Sequence, residues 1–88
     1  MYSVEISPAA ERDLKKLKKK LAYFDGIISI IDKLSLDPSH IGTRKVKGFL
    51  RTFRIRYRSY RIIYDIYEKE EIIIVLRILK RSELTYKF

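Results

Sequence analysis

The sequence predicts an α+β fold in a single domain over residues 1–88. The expected order is an N-terminal strand, a two-helix hairpin and a three-stranded antiparallel meander (β-α-α-β-β-β), with the helices packed on one face of the sheet. Three observations carry this. Residues 47–61, KGFLRTFRIRYRSYR, alternate so that Phe53, Ile55 and Tyr57 fall on one face of a strand and Thr52, Arg54 and Arg56 on the other. Ala10, Leu14, Leu17 and Leu21 recur at helical spacing as one narrow apolar stripe. Ile72, Ile73, Ile74, Val75 and Leu76 form a continuous, mostly β-branched run, the pattern of a strand buried on both sides.

Tyr2, Val4 and Ile6 alternate with Ser3 and Glu5, which predicts the first strand. Ser7-Pro8 then opens a helix, because serine caps well and proline at the first helical position gives up an N–H that has no partner there. Lys15, Lys16, Lys18, Lys19 and Lys20 surround the apolar stripe as a solvated face, with an RNA or ribosome contact as the alternative. A break is expected at Asp25-Gly26, followed by a second helix from about Gly26 to Leu36 with Ile27, Ile30, Ile31 and Leu34 facing inward. Asp37-Pro38 ends it, since proline disfavours helix in the residue before it. A loop with Ser39, His40, Gly42 and Thr43 leads to strands over residues 50–57, 60–67 and 71–79, joined by Arg58-Ser59 and Glu68-Lys69-Glu70.

Eighty-eight residues without cysteine exclude disulfides and thiolate metal sites. The start, MYSVEISP, lacks the basic and apolar regions of a signal peptide, and IIIVLRIL is too short to span a bilayer. A soluble cytoplasmic protein with no membrane role is expected. Its net charge of +9 and pI near 9.9 favour anionic partners. Between Asp37 and Asp65 no acidic residue occurs, yet Arg44, Lys45, Lys47, Arg51, Arg54, Arg56, Arg58 and Arg61 all do. Arginine dominates, and its planar fork suits phosphate.

If helices cover one face of the sheet, Arg54 and Arg56 lie on the other by parity. Arg61 joins them from the next strand, and Arg77 or Arg81 from the last. Clustered arginines repel one another and gain from meeting an anion; the competing explanation is that charges on a strand block edge-to-edge aggregation. Hydrolase and nucleotide-binding motifs such as G-x-S-x-G, H-E-x-x-H and a glycine-rich phosphate loop are missing. The carboxylates are scattered, with Asp65 and Glu68 nearest the hairpins, and His40 has no companions at metal spacing, so it reads as a surface loop residue. Phosphodiester chemistry without a metal needs cationic stabilisation and proton transfer. Arginine supplies the first and Tyr86 is a candidate for the second.

FRIRYRSYRIIYDI, followed after a short turn by IIIVLRILKRSELTY, resembles the RelE toxins of the RelE/ParE superfamily over nearly the whole chain. The matching positions are Arg54-Ile55-Arg56 on one strand, Tyr60-Arg61 opening the next, and Arg81 with Tyr86 near the end. The resemblance implies a toxin that enters the ribosomal A site and cuts messenger RNA. The 2′-hydroxyl attacks the adjacent phosphate, without metal or small-molecule cofactor, leaving a 2′,3′-cyclic phosphate and a 5′-hydroxyl. It also implies a RelB-like antitoxin encoded alongside. Arg54, Arg56, Arg61, Arg81 and Tyr86 are the expected catalytic set, and Lys45, Lys47, Arg51, Arg58, Arg77 and Lys80 the expected RNA- or ribosome-binding set. The alternatives are a ParE-like inhibitor of DNA gyrase on the same fold and a basic RNA-binding module without catalysis.

The chain departs from the family pattern in three ways. The turn is Arg58-Ser59 where glycine is usual, Lys80 stands where many relatives have histidine, and Tyr86 follows Arg81 by five positions. Arginine, with a pKa above about 12, does not serve as a base. Arg54 and Arg56 are therefore assigned charge stabilisation and RNA positioning, and Tyr86 the proton transfer, helped by cations that favour its phenolate.

Overall fold

Ser7 joins the first strand to the first helix and ties both to the far end of the chain. In the computed structural model, which describes residues 1–39 and 42–82, β1 (Ser3–Ile6) runs parallel to β5 (Ile72–Lys80). At Ser7 the backbone N–H donates to the Val75 carbonyl at 3.0 Å. Its hydroxyl accepts from Ala10 N–H at 3.1 Å, capping α1 (Pro8–Leu17), and donates to the Leu76 carbonyl at 2.8 Å. One side chain thus caps a helix and satisfies a strand edge.

That edge needs partners because β1 stops pairing at Val75. Asp13, one and a half turns into α1, supplies more: its carboxylate accepts from Ile78 N–H at 2.8 Å and from Arg77 Nε at 2.9 Å and Nη2 at 3.2 Å. The carboxylate is almost fully buried, so its charge requires such a partner.

Residues 18–20 turn the chain into α2 (Leu21–Leu36). The expected break at Asp25-Gly26 is corrected: Gly26 lies inside α2, and its missing side chain makes room for Tyr57. A Cβ there would overlap the Tyr57 hydroxyl and ring. Leu21, expected in the stripe of the first helix, instead starts the second and is exposed.

Among the described residues, the sheet has five strands in the order β1-β5-β4-β3-β2. The meander is present as β3 (Thr52–Tyr57), β4 (Tyr60–Tyr67) and β5, close to the expected bounds. The additional strand, β2 (Thr43–Lys45), lies where a loop is expected and pairs antiparallel with β3. Three residues are too few to show a period. Leu50, expected to start a strand, is an exposed residue of the β2–β3 connection.

Both helices pack on one face, as expected. Ala10, Leu17, Ile27, Ile31 and Leu34 meet Ile55, Ile62, Tyr64, Ile66, Val75 and Ile78 in one core. Tyr64 is fully buried, stacks on Phe53 with centroids 6.1 Å apart, and donates its hydroxyl to the Pro38 carbonyl. On the opposite face a smaller apolar cluster joins Ile63 and Leu79 with Leu76.

The β4–β5 register shifts once. Tyr64 pairs with Val75 and Ile63 with Arg77, leaving Leu76 as the extra residue. Ile73 and Val75 face the helices before the bulge, and Ile78 does so after it. The parity of β5 therefore inverts at Leu76.

Candidate functional site

The face away from the helices is built in rungs. Cross-strand partners share a face, so Arg44 on β2 lies beside Arg54 on β3 and Ile63 on β4, and Arg56 lies beside Arg61 on β4 and Leu79 on β5. Each rung brings two arginines against an apolar residue that is almost fully buried. Gly42, Arg44, Arg54, Arg56 and Arg61 line a cleft of about 140 Å³.

Arg61 lines it from β4. Nη1 donates to the Tyr60 carbonyl at 3.0 Å and to the Arg58 carbonyl at 3.3 Å, so the turn holds the guanidinium in place. Partial burial, followed by the like charges of Arg56, Arg81 and Arg54, holds Arg61 below the usual arginine range. Three of the expected residues, Arg54, Arg56 and Arg81, thus act on a fourth, Arg61. Arg81 arrives because the bulge inverts β5, and its N–H donates to the Ser59 carbonyl at 2.8 Å.

The remaining expected residues lie elsewhere. Arg77 pairs with Ile63 in the first of these rungs, but its guanidinium is held by Asp13 of α1. Arg58, at the turn, lies over the rings of Tyr23 (5.4 Å) and Tyr57 (5.6 Å). Its φ of 54° is the left-handed conformation that glycine adopts at no cost, so the absence of glycine from this turn carries strain. Arg51 stacks over Tyr67 at 4.8 Å. Lys45 pairs with Phe53 and so belongs to the helix face of the edge strand, Lys47 is exposed beyond it, and Lys80 pairs with Tyr60 on the helix face. Tyr86 and His40 lie outside the described residues.

Asp65 accepts a hydrogen bond from the Thr52 hydroxyl at 2.6 Å in the next rung along the hairpin. Among the described residues, no group of three or more His, Cys, Asp or Glu side chains could hold a metal ion. Burial pushes the Tyr64 phenol far above its usual range, with the charge of Asp37 adding to this and a hydrogen bond with Thr43 opposing it. Tyr64 is therefore unsuited to releasing a proton. The expected site set omits Arg44, which the acid-free run already contained; only the pairing of β2 with β3 brings it to Arg54.

Among the described residues, no helix is long and apolar enough to cross a membrane. Residues 4–85 match the sequence profile of the family described as ParE toxin of type II toxin-antitoxin system, parDE. Toxin RelG of Mycobacterium tuberculosis is 25% identical over 87 residues, spanning 94% of this chain and 94% of that protein. A chain in the crystal structure of the toxin–antitoxin complex RelBE2 from Mycobacterium tuberculosis is similar with a TM-score of 0.76 and 26% identity, over 91% of this chain and 98% of that one. A chain in the archaeal RelE–RelB complex from Pyrococcus horikoshii gives a TM-score of 0.77 and 26% identity, over 92% and 96%.

Proposed function

We propose, from the premise that this chain belongs to the ParE toxin family of type II toxin–antitoxin systems within the RelE/ParE superfamily, that it is a ribosome-dependent endonuclease of messenger RNA. The observation that supports this most is the opposed pair Arg56 and Arg61, with Arg54 and Arg81 acting on Arg61 from the same side. Such a cluster is unfavourable when empty and favourable around a phosphate that gains charge.

In the proposed reaction the RNA 2′-oxygen forms a bond to the adjacent phosphorus as the bond to the 5′-oxygen breaks. The products are a 2′,3′-cyclic phosphate and a 5′-hydroxyl. The extra charge on the non-bridging oxygens is met by Arg56 and Arg61, while Arg54 and Arg81 position the strand. The proton leaves the 2′-hydroxyl and a proton returns to the 5′-oxygen. Arginine does neither, so Tyr86 is assigned proton transfer on its sequence position. A cognate antitoxin is the proposed partner, as the RelBE2 and RelE–RelB structures are complexes of that kind.

A second reading, inhibition of DNA gyrase, is favoured by the match to the ParE description. Ribosomes programmed with a defined message and an empty A site separate the two. A cut within the A-site codon, ending in a cyclic phosphate and absent from naked message, supports the nuclease. Intact message on ribosomes that still bind the protein, with loss of gyrase supercoiling in a parallel reaction, supports the inhibitor.

A further inference from the structure

We infer that the groove between α1 and the sheet is a second phosphate-binding site, which carries a single RNA strand onward from the arginine cleft. The inference rests on reading that cleft as an RNA site. The groove has a volume of about 320 Å³, with Lys16 from α1, Lys20 from the α1–α2 turn and Lys80 from β5 on its rim and Leu17, Tyr60 and Ile78 beneath.

What the groove exposes decides its ligand. Leu17, Tyr60 and Ile78 are only 4%, 6% and 3% exposed, so an amphipathic helix laid here would find little apolar surface to bury. The exposed groups are ammonium ions. Asp13 also lines the groove, but its charge is already matched by Arg77 and its oxygens accept from Arg77 and Ile78. Lys16 and Lys20 beside a carboxylate that already has its counter-ion leave a positive site.

The groove leads toward the cleft. Lys80 also lines a hollow with Ser59, Arg81 and Ser82. Arg81 and Arg61, which lines the arginine cleft, both bond to the β3–β4 turn, Arg81 N–H to the Ser59 carbonyl and Arg61 Nη1 to the Arg58 and Tyr60 carbonyls. The three cationic hollows therefore follow one another around the end of the sheet that carries the β3–β4 turn. The residue types divide accordingly. Arginine forks crowd the cleft, where geometry matters, and lysine point charges line the groove, where sequence-independent contact to the phosphate backbone suffices.

The test uses 2′-O-methyl oligoribonucleotides, which lack the attacking hydroxyl, with binding followed by fluorescence anisotropy between about 50 and 200 mM salt. A dodecanucleotide spans cleft and groove, whereas a trinucleotide fills the cleft alone. Lys16→Ala/Lys20→Ala is expected to weaken the dodecanucleotide and to lower its salt slope by about 1.4, at about 0.7 per lost phosphate contact, with the trinucleotide unchanged. Lys18→Ala/Lys19→Ala, in the adjoining α1–α2 turn outside the groove, is expected to change neither. Equal losses in the two double variants would reduce the effect to net charge and overturn the inference. So would an unchanged dodecanucleotide in Lys16→Ala/Lys20→Ala, including the case in which polyglutamate binding falls instead, which would assign the groove to an acidic protein segment. The arginine cleft is tested separately: an Arg56→Ala/Arg61→Ala variant that keeps trinucleotide affinity overturns the reading on which the inference rests.

Discussion

Arg56 on β3 and Arg61 on β4 are direct cross-strand partners, so two guanidinium stems rise side by side from the open face of the sheet. Directly opposed like charges destabilise a hairpin. A fold that keeps them together trades stability for a site that an anion completes.

Arg56→Thr is accordingly expected to raise unfolding stability by about 0.5–1 kcal/mol, since it removes the repulsion and adds a good strand former. The same change is expected to lower cleavage on ribosomes by roughly 10²-fold or more. Urea denaturation and mapped cleavage rates check the two halves, and a variant both less stable and fully active would refute the trade.

Tyr86→Phe keeps the ring and removes the proton. Cleavage should fall by roughly 10²–10⁴-fold while ribosome binding persists. Unchanged cleavage would remove Tyr86 from the proton-transfer role.

Asp13→Ala takes an acceptor from Ile78 N–H and the counter-ion from Arg77. The expected loss is about 2–4 kcal/mol in urea unfolding. Asp13→Asn, which keeps an acceptor for Ile78, should lose less. Equal losses in the two variants would show that the charge, and not the hydrogen bond to β5, is what matters.

Gly26→Ala sets two effects against each other. Alanine favours helix by about 1 kcal/mol over glycine, but its Cβ would overlap Tyr57, whose ring packs edge-on against Tyr23 at 6.3 Å and lies beneath Arg58. The overlap is expected to win, with a net cost of roughly 1–2 kcal/mol. In a Tyr57→Leu background the same substitution should become neutral or stabilising. A cost that persists there would mean that something other than Tyr57 excludes a side chain at position 26.

Much of this architecture is legible in local pattern. The alternation in residues 53–57 sends Phe53, Ile55 and Tyr57 to the helices and leaves Arg54 and Arg56 outward, and Arg61 follows because a two-residue turn sets its register. Ile27, Ile31 and Leu34 declare the buried face of α2 through their spacing. Gly26 misleads, because a glycine that admits a tyrosine ring and one that breaks a helix look the same in one dimension. β2 is too short to show a period, so Arg44 is missed.

Sequence by itself determined that arginines line one face of a hairpin, because side-chain parity along an unbroken strand is a local property. Tertiary structure decided which residues of the last strand join them. Uninterrupted alternation through Ile73 and Val75 would send Arg77, Leu79 and Arg81 toward the helices. The bulge at Leu76 inverts that parity, so Ile78 enters the core and Leu79 lies beside Arg61. Nothing in IIIVLRIL marks the extra residue, since Leu76 is as apolar as its neighbours. It is stabilised from outside the strand: β1 ends its pairing at Val75, and Ser7 and Asp13 bond the edge of β5 beyond that point. A bulge depends on partners more than sixty residues away in the chain, and for that reason the placement of Arg81 beside Arg61 belongs to the fold.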